Sequence, residues 1–196
     1  MPKLIDHDTR RRELVEASWR VIADEGLDGL TMRKIAAAAD CTTGRLTHYF
    51  ANREELVLAA LRAVYEAAGA RMASALEIHR DARAQLQLML EECLPLDAAR
   101  LQEWKVWIAF WSAAASDKRL ATENDLRHDR WRKAMIPLIK SISQTTDPIF
   151  EADCLIGLVN GLGLQAAIAP NKTNRDRAKT ILSRHLDALA AQKTLR

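Results

Sequence analysis

Polar side chains of the kinds that contact DNA bases are concentrated at residues 43–48. Arginine can donate two hydrogen bonds to one guanine, and threonine can bond a base edge or touch the methyl group of thymine. Leu46 and Phe50 lie four residues apart in the same stretch, so on a helix they share one buried stripe. The other faces then carry the candidate base contacts, which are Thr43, Arg45, Thr47 and His48.

Two short helices with a tight turn between them are predicted to hold these side chains. Thr31 is an N-cap residue for a helix over about residues 32–39. Thr42 has the same role for a second helix over residues 43–49. This is the layout of a helix-turn-helix, although a plain helical hairpin with a solvated polar face has the same pattern. The expected phosphate contacts are Thr31, Arg33, Thr42, Tyr49 and Arg53.

Positive charge is local to this segment. The formal net charge of the chain is only +3, but residues 31–53 carry four positive side chains and one negative side chain. A local basic patch is what contact with phosphates requires. A further basic run at residues 10–12 either follows the phosphate backbone or forms a solvated helix face. The pattern predicts salt-dependent binding to double-stranded DNA.

The run LTMRKIAAAADCTTGRLTHYF at residues 30–50, with Gly26 before it and NREEL after it, resembles the N-terminal domain of TetR-family transcriptional repressors. The chain has Asp40 where glycine is usual, Cys41 for valine and Thr47 for the common tyrosine. The resemblance covers about residues 8–58. It implies a three-helix DNA-binding domain at residues 1–51 and a larger helical effector-binding and dimerisation domain at residues 52–196.

A second resemblance lies in the C-terminal part. LPLD at residues 94–97, EWKVWIAFW at 103–111 and RWRK at 130–133 look like the ligand-binding domain of the branch that includes the choline-responsive repressor of betaine-synthesis genes. That branch is not restricted to choline sensors. The resemblance implies a small-molecule effector, with a choline-like molecule or another amine as the candidate.

Aromatic side chains in this region form a candidate effector site. Trp104, Trp107 and Trp111 have the spacing of one helix face. Such a stripe is either ordinary core or an aromatic cage, in which a quaternary ammonium gains about 0.5–2 kcal/mol per contact. Glu103 and Asp97 could add negative charge. The candidate effector residues are Trp104, Trp107, Phe110, Trp111, Trp131, Asn160 and Gln165.

Composition predicts an all-α protein. Hydrophobic residues are 48% of the 196-residue chain, while glycine and proline together number only 12, so there are few helix breakers. Two helices predicted at about residues 148–169 and 174–191 are apolar on several faces, which favours burial against a second copy. Gly157, Gly161 and Gly163 allow close approach of backbones. We therefore expect a homodimer, which also suits a two-fold operator.

Other classes of function have little support in the sequence. It contains no phosphate-binding glycine loop, no zinc-protease motif and no nucleophile elbow, so we predict no enzyme, no catalytic residue, no cofactor and no metal site. Three widely spaced cysteines and the lack of a signal-peptide core predict a cytoplasmic protein without a membrane segment. The alternatives left open are a helical protein-interaction adaptor and a DNA-binding activator without a small-molecule effector.

Overall fold

Helices make up the architecture throughout the part of the chain that is described. The computed structural model describes residues 7–78 and 80–191, and within them the all-α prediction is confirmed. The helices are α1 (His7–Glu25), α2 (Met32–Ala38), α3 (Thr43–Thr47), α4 (Arg53–Ile78), α5 (Ala82–Glu91), α6 (Ala98–Ala114), α7 (Lys118–Ile142), α8 (Pro148–Ile168) and α9 (Lys172–Ala191).

The helix-turn-helix segment has the caps that its sequence predicts. The hydroxyl of Thr31 accepts from the N–H of Lys34, and that of Thr42 accepts from the N–H of Arg45 at 3.2 Å. The predicted second helix is two residues too long, because α3 ends at Thr47. The N–H groups of His48 and Tyr49 donate to carbonyls three residues back, which is the tighter 3₁₀ pattern common at helix ends.

The end of α2 is closed by a residue with left-handed backbone. Asp40 has a φ of 48°. Its N–H donates to the carbonyl of Ala37 at 3.2 Å, and the N–H of Cys41 donates to that of Ala36 at 2.9 Å. This pair of bonds defines a Schellman motif, whose left-handed position is usually glycine. The turn therefore has the ordinary geometry, but with a less suitable residue.

We expect Asp40→Gly to raise the free energy of unfolding by about 1 kcal/mol, because the left-handed conformation costs an L-residue about 1–2 kcal/mol. Asp40→Ala should lower it, since alanine lacks the short polar side chain that eases this conformation. Urea denaturation at one protein concentration compares the two variants. A glycine variant no more stable than the alanine variant would contradict the backbone explanation.

The described residues form two hydrophobic cores. The first joins α1, α2, α3 and the N-terminal half of α4, and it also takes in Val106 and Phe110 of α6 and Leu120 of α7. The second joins Met72 of α4 to α5, the C-terminal half of α7, α8 and α9. The DNA-binding segment thus packs directly against α6 and α7 rather than being attached by a linker.

Helix α4 belongs to both cores. The side chain of Asn52 caps it by accepting from the N–H of Glu55 at 2.9 Å. Its early residues pack in the first core and Met72 packs in the second. The predicted domain boundary between residues 51 and 52 falls at the start of this helix and stays a prediction. Residues 1–6 and 192–196 of the two predicted domains lie outside the described residues.

Helix α8 is unusually apolar. Among the described residues it is the helix that is long and apolar enough to cross a membrane by length and composition alone, a test that a core helix of a soluble protein also passes. Ala152, Leu155 and Val159 on one face are fully buried in the second core. Ile149, Phe150, Leu164 and Ile168 are exposed, so α8 has an apolar face that none of the other described residues covers.

Candidate DNA-reading surface and effector pocket

The predicted base-contacting residues form the outer surface of α3. Thr43, Arg45, Thr47 and His48 are all exposed. Leu46 between them is fully buried and, with Phe50, anchors the helix in the first core. One hydroxyl is turned inward, because Thr47 donates to the carbonyl of Gly44 at 2.9 Å. The geometry leaves the Arg45 side chain directed away from the core, as base reading requires.

The predicted phosphate contacts are less uniform. Thr31, Arg33 and Thr42 are exposed. Tyr49 is half-buried, with its ring 4.6 Å from the ring of His7. Arg53 has a structural role that the sequence did not reveal: its Nε donates to the carbonyl of Leu30 at 2.8 Å, and Nη2 donates to that of Leu27. The guanidinium therefore ties the first turn of α4 to the loop between α1 and α2.

Two arginines of α1 hold the end of α2. Arg10 donates to the carbonyl of Ala39 at 3.2 Å and to the carboxylate of Glu13. Arg20 donates to the carbonyl of Ala38 at 2.7 Å. Carbonyls at the end of a helix lack intrahelical partners and carry partial negative charge, so cations suit them. Within the basic run at residues 10–12, Arg10 thus has a structural role.

An aromatic cavity of about 50 Å³ lies between α4, α6, α7 and α8. Five of the seven predicted effector residues line it, namely Trp104, Trp107, Trp111, Trp131 and Asn160. Phe110 is fully buried in the first core, and Gln165 is exposed on α8. Neither lines this cavity. Tyr65 of α4 adds an aromatic wall that the sequence pattern did not indicate.

The tryptophans are both pocket wall and core. The rings of Trp104 and Trp111 meet edge to face at 5.5 Å, and those of Trp107 and Trp111 are stacked at 6.0 Å. The indole N–H of Trp104 donates to the carbonyl of Cys93 at 2.7 Å, and that of Trp111 donates to Asn124 at 3.1 Å. Hydrogen-bonded rings of this kind form a wall with a fixed shape.

Carboxylates beside the cavity are paired. Glu103 takes two bonds from Arg71, at 2.9 and 2.7 Å, and Glu92 accepts from Arg71 at 3.0 Å and lies 3.2 Å from Arg100. Asp97 caps α6, and its pKa is lowered: burial opposes ionisation, but the hydrogen bonds and charge of Arg100 outweigh it. The predicted negative charge of Glu103 and Asp97 is therefore already neutralised by arginines.

Arg127 is a buried cation in the cavity wall. Its side chain is only 6% exposed. Nη2 donates to Glu123 at 2.9 Å and Nη1 to the carbonyl of Leu61 at 3.3 Å. The guanidinium carbon lies 4.7 Å from the ring centroid of Tyr65 and 5.5 Å from that of Trp107. Burial lowers the pKa of Arg127, although Glu123 opposes that shift.

Two other titratable groups of the lining are held in their neutral forms. Burial raises the pKa of the Cys93 thiol far above its usual range, which makes the thiol unreactive. Burial, with the charge of Arg132, lowers the pKa of His128. The permanent charges of the cavity wall are therefore carried by arginines and glutamates.

Both halves of the chain match known families. Residues 14–60 match the family described as bacterial regulatory proteins, tetR family, and residues 82–191 match the BetI-type transcriptional repressor C-terminal family. The second match alone spans more than half of the chain. The protein belongs to the TetR family of transcriptional regulators.

Curated relatives are similar in sequence to this TetR-family regulator along nearly its whole length. It is 32% identical to the HTH-type transcriptional regulator PksA of Bacillus subtilis, over 99% of this chain and 96% of that protein. It is 28% identical to the regulator BetI of Burkholderia thailandensis, over 98% of this chain and 100% of that one. Together with the family matches, these names confirm the predicted class, a transcriptional repressor family with a ligand-binding C-terminal domain. Both relatives are named as transcriptional regulators and not as enzymes.

Solved structures share the fold. A transcriptional regulator from a Rhodococcus species is 27% identical with a TM-score of 0.82, covering 91% of this chain and 95% of that chain. A regulator from Saccharomonospora viridis, solved in complex with choline, is 24% identical with a TM-score of 0.82, covering 90% and 95%. The arrangement of helices in this TetR-family chain is thus also found in solved structures.

Proposed function

We propose that this regulator acts as a homodimer in the cytoplasm, binds a pseudo-palindromic operator through α3 of each subunit, and is released by a small molecule in the aromatic cavity. The observation that carries the DNA-binding part is the outward face of α3. Its polar residues at positions 43, 45, 47 and 48 are all exposed while Leu46 is fully buried. A chromosomal operator places such a protein in the cytoplasm.

The exposed apolar face of α8 supports the homodimer. Phe150 is 60% exposed and Ile168 is 73% exposed. Gly157 and Gly161 have open space where a side chain would begin, so a second backbone can come close. Gly163 differs, because the ring of Trp104 in the same chain occupies the space where its side chain would begin. Several large apolar side chains exposed together on one helix are typical of a protein interface.

Release by an effector requires a connection between cavity and DNA. Helix α4 provides a candidate, because Tyr65 lines the cavity while Arg53 at its first turn holds the α1–α2 loop. A molecule that favours a different tilt of α4 changes the separation of the two α3 helices in the dimer. Release then follows from the difference in affinity of the molecule for the two states.

A choline-like molecule or another amine is the effector that the sequence predicts. The tryptophan rings around the cavity support a molecule with a compact apolar body, and the related fold from Saccharomonospora viridis holds choline. The proposed function requires only that the effector is a small molecule bound by those rings.

Operator binding is the experiment that tests the proposal. Fluorescence anisotropy with DNA from upstream of the protein's own gene, over a salt series, measures affinity and sequence preference together. We expect Arg45→Ala to weaken the preferred operator by about 1–3 kcal/mol while leaving non-specific binding nearly unchanged.

Arg33→Ala is the matched control, because it removes the same charge from a residue expected to contact phosphate. It should weaken all sequences alike and reduce the salt dependence. Equal effects of the two variants on specific and non-specific DNA would contradict the assignment of Arg45 to a base. Selective DNA binding that no small molecule alters would favour an effector-independent regulator. Absence of selective binding at any salt concentration would overturn the proposal and favour a protein-interaction adaptor.

A further inference from the structure

The aromatic cavity already contains a cation that belongs to the protein. The guanidinium carbon of Arg127 lies 4.7 Å from the ring centroid of Tyr65 and 5.5 Å from that of Trp107. These are the distances at which a ring face attracts a positive charge. Two of the ring faces that an ammonium effector needs are therefore already engaged by this guanidinium.

The negative groups of the wall offer a cationic effector no compensation. Glu103 is bonded twice by Arg71, and Glu92 contacts both Arg71 and Arg100. Glu123, which neutralises Arg127, accepts from it at 2.9 Å. Each of these described carboxylates has an arginine partner, so an added ammonium has to compete with a guanidinium for it.

One donor of the wall lacks a partner. Among the described residues, the Nε of Arg127 is buried and makes no hydrogen bond, although Nη1 and Nη2 both do. A buried N–H without an acceptor is unfavourable, and satisfying it with a charged acceptor makes one of the stronger hydrogen bonds in proteins. The unpaired group lies on a side chain that lines the cavity and is 6% exposed.

We propose that the effector of this regulator is a small organic carboxylate whose oxygen accepts from Arg127 and whose compact apolar body packs against the tryptophan rings. The inference rests on the proposed function and specifies the ligand class of the same site. The cavity is small, about 50 Å³, which favours a compact molecule. Arg127 is then the residue that determines specificity.

Three probes of matching shape test the sign of the charge. Tert-butylacetate (the anion 3,3-dimethylbutanoate), neohexanol (3,3-dimethylbutan-1-ol) and choline share a trimethyl-substituted head and a short tail. The first carries a negative charge, the second no charge and the third a positive charge. Calorimetry and tryptophan fluorescence measure their binding to the full-length protein. Because a charge-assisted bond is about twice as strong as a neutral one, we expect tert-butylacetate to bind about ten-fold or more tightly than choline.

Arg127→Met is expected to reduce the affinity for tert-butylacetate to that for neohexanol. Lys133→Met is the matched control, since it removes a positive charge from an exposed position of the same helix, and we expect wild-type affinities. If Arg127→Met does not fold, Arg127→Lys keeps the charge but lacks Nε, and it should also lose about ten-fold or more of the carboxylate affinity.

Three outcomes overturn the inference: choline binds as tightly as tert-butylacetate, tert-butylacetate does not bind, or the Arg127 variants keep wild-type affinity for it. Operator binding measured in the same samples separates this from failure of the proposed function. Operator binding released by choline but unaffected by tert-butylacetate keeps the repressor and overturns the carboxylate. Release by tert-butylacetate in the wild type but not in Arg127→Met supports both.

Discussion

Replacing Gly163 with alanine is expected to lower the free energy of unfolding by about 1–3 kcal/mol, the usual cost of overpacking a core. A Cβ atom at this position would overlap Cζ2 and Cη2 of the Trp104 ring. The ring has little freedom to move away, because Trp104 is 4% exposed and its indole N–H is bonded to Cys93. Thermal and urea unfolding measure the loss.

Gly69→Ala is the matched control for this substitution. Gly69 lies within α4, and a Cβ atom there meets nothing within 4 Å. Alanine is favoured over glycine in a helix by about 1 kcal/mol, so this variant should gain stability. All variants are compared at the same protein concentration, since the stability of the proposed dimer depends on it. A Gly163→Ala protein as stable as the wild type would show that α8 and Trp104 separate easily.

Replacing Arg71 with methionine is expected to lower the free energy of unfolding by about 2–3 kcal/mol. The change leaves Glu103 without its two bonds and Glu92 with only Arg100. Breaking a fully buried pair costs about 3–5 kcal/mol, and the cost is smaller here because the Arg71 side chain is 31% exposed. The same variant is expected to loosen the cavity wall, so the proposed release from DNA by an effector should weaken as well.

Arg132→Met provides the comparison for a surface pair. Arg132 contacts Asp129 and Asp153, both of which are largely exposed, and exposed pairs contribute about 0–1 kcal/mol. The double change Arg71→Met with Glu103→Gln should recover part of the lost stability, because it removes the charge of Glu103, which Arg71→Met leaves unpaired. If Arg71→Met and Arg132→Met have equal effects, the cluster around Arg71 is not a buried network.

The DNA-reading segment was predictable because its signals are local. The capping threonines at 31 and 42 and the Leu46–Phe50 spacing are read within one helical turn, and each has the predicted place. The scaffold around the segment was less accessible. Nothing in the sequence showed that Arg53 bonds carbonyls more than 20 residues away, at Leu27 and Leu30, because such contacts depend on how helices pack.

In the cavity, too, the features set by local spacing were predictable, whereas those set by helix packing were not. Spacing along α6 placed Trp104, Trp107 and Trp111 on one face, which the structure shows. Phe110 lies about 120° round the helix from Trp104 and about 100° from Trp111, and this rotation places it in the first core. Gln165 is turned about 140° from Asn160 on α8. Tyr65 and Arg127 come from other helices, so only the packing of α4 and α7 brings them to the tryptophans.

The bonds from Arg10, Arg20 and Arg53 to backbone carbonyls have a consequence for evolution. All three hold the N-terminal helices through main-chain oxygens, which every residue type supplies. None of them uses a side chain of α3. Substitutions on the outer face of α3 can therefore change the preferred operator while the frame that presents it stays the same, so a duplicated gene of this kind can acquire new target sites without refolding its DNA-binding half.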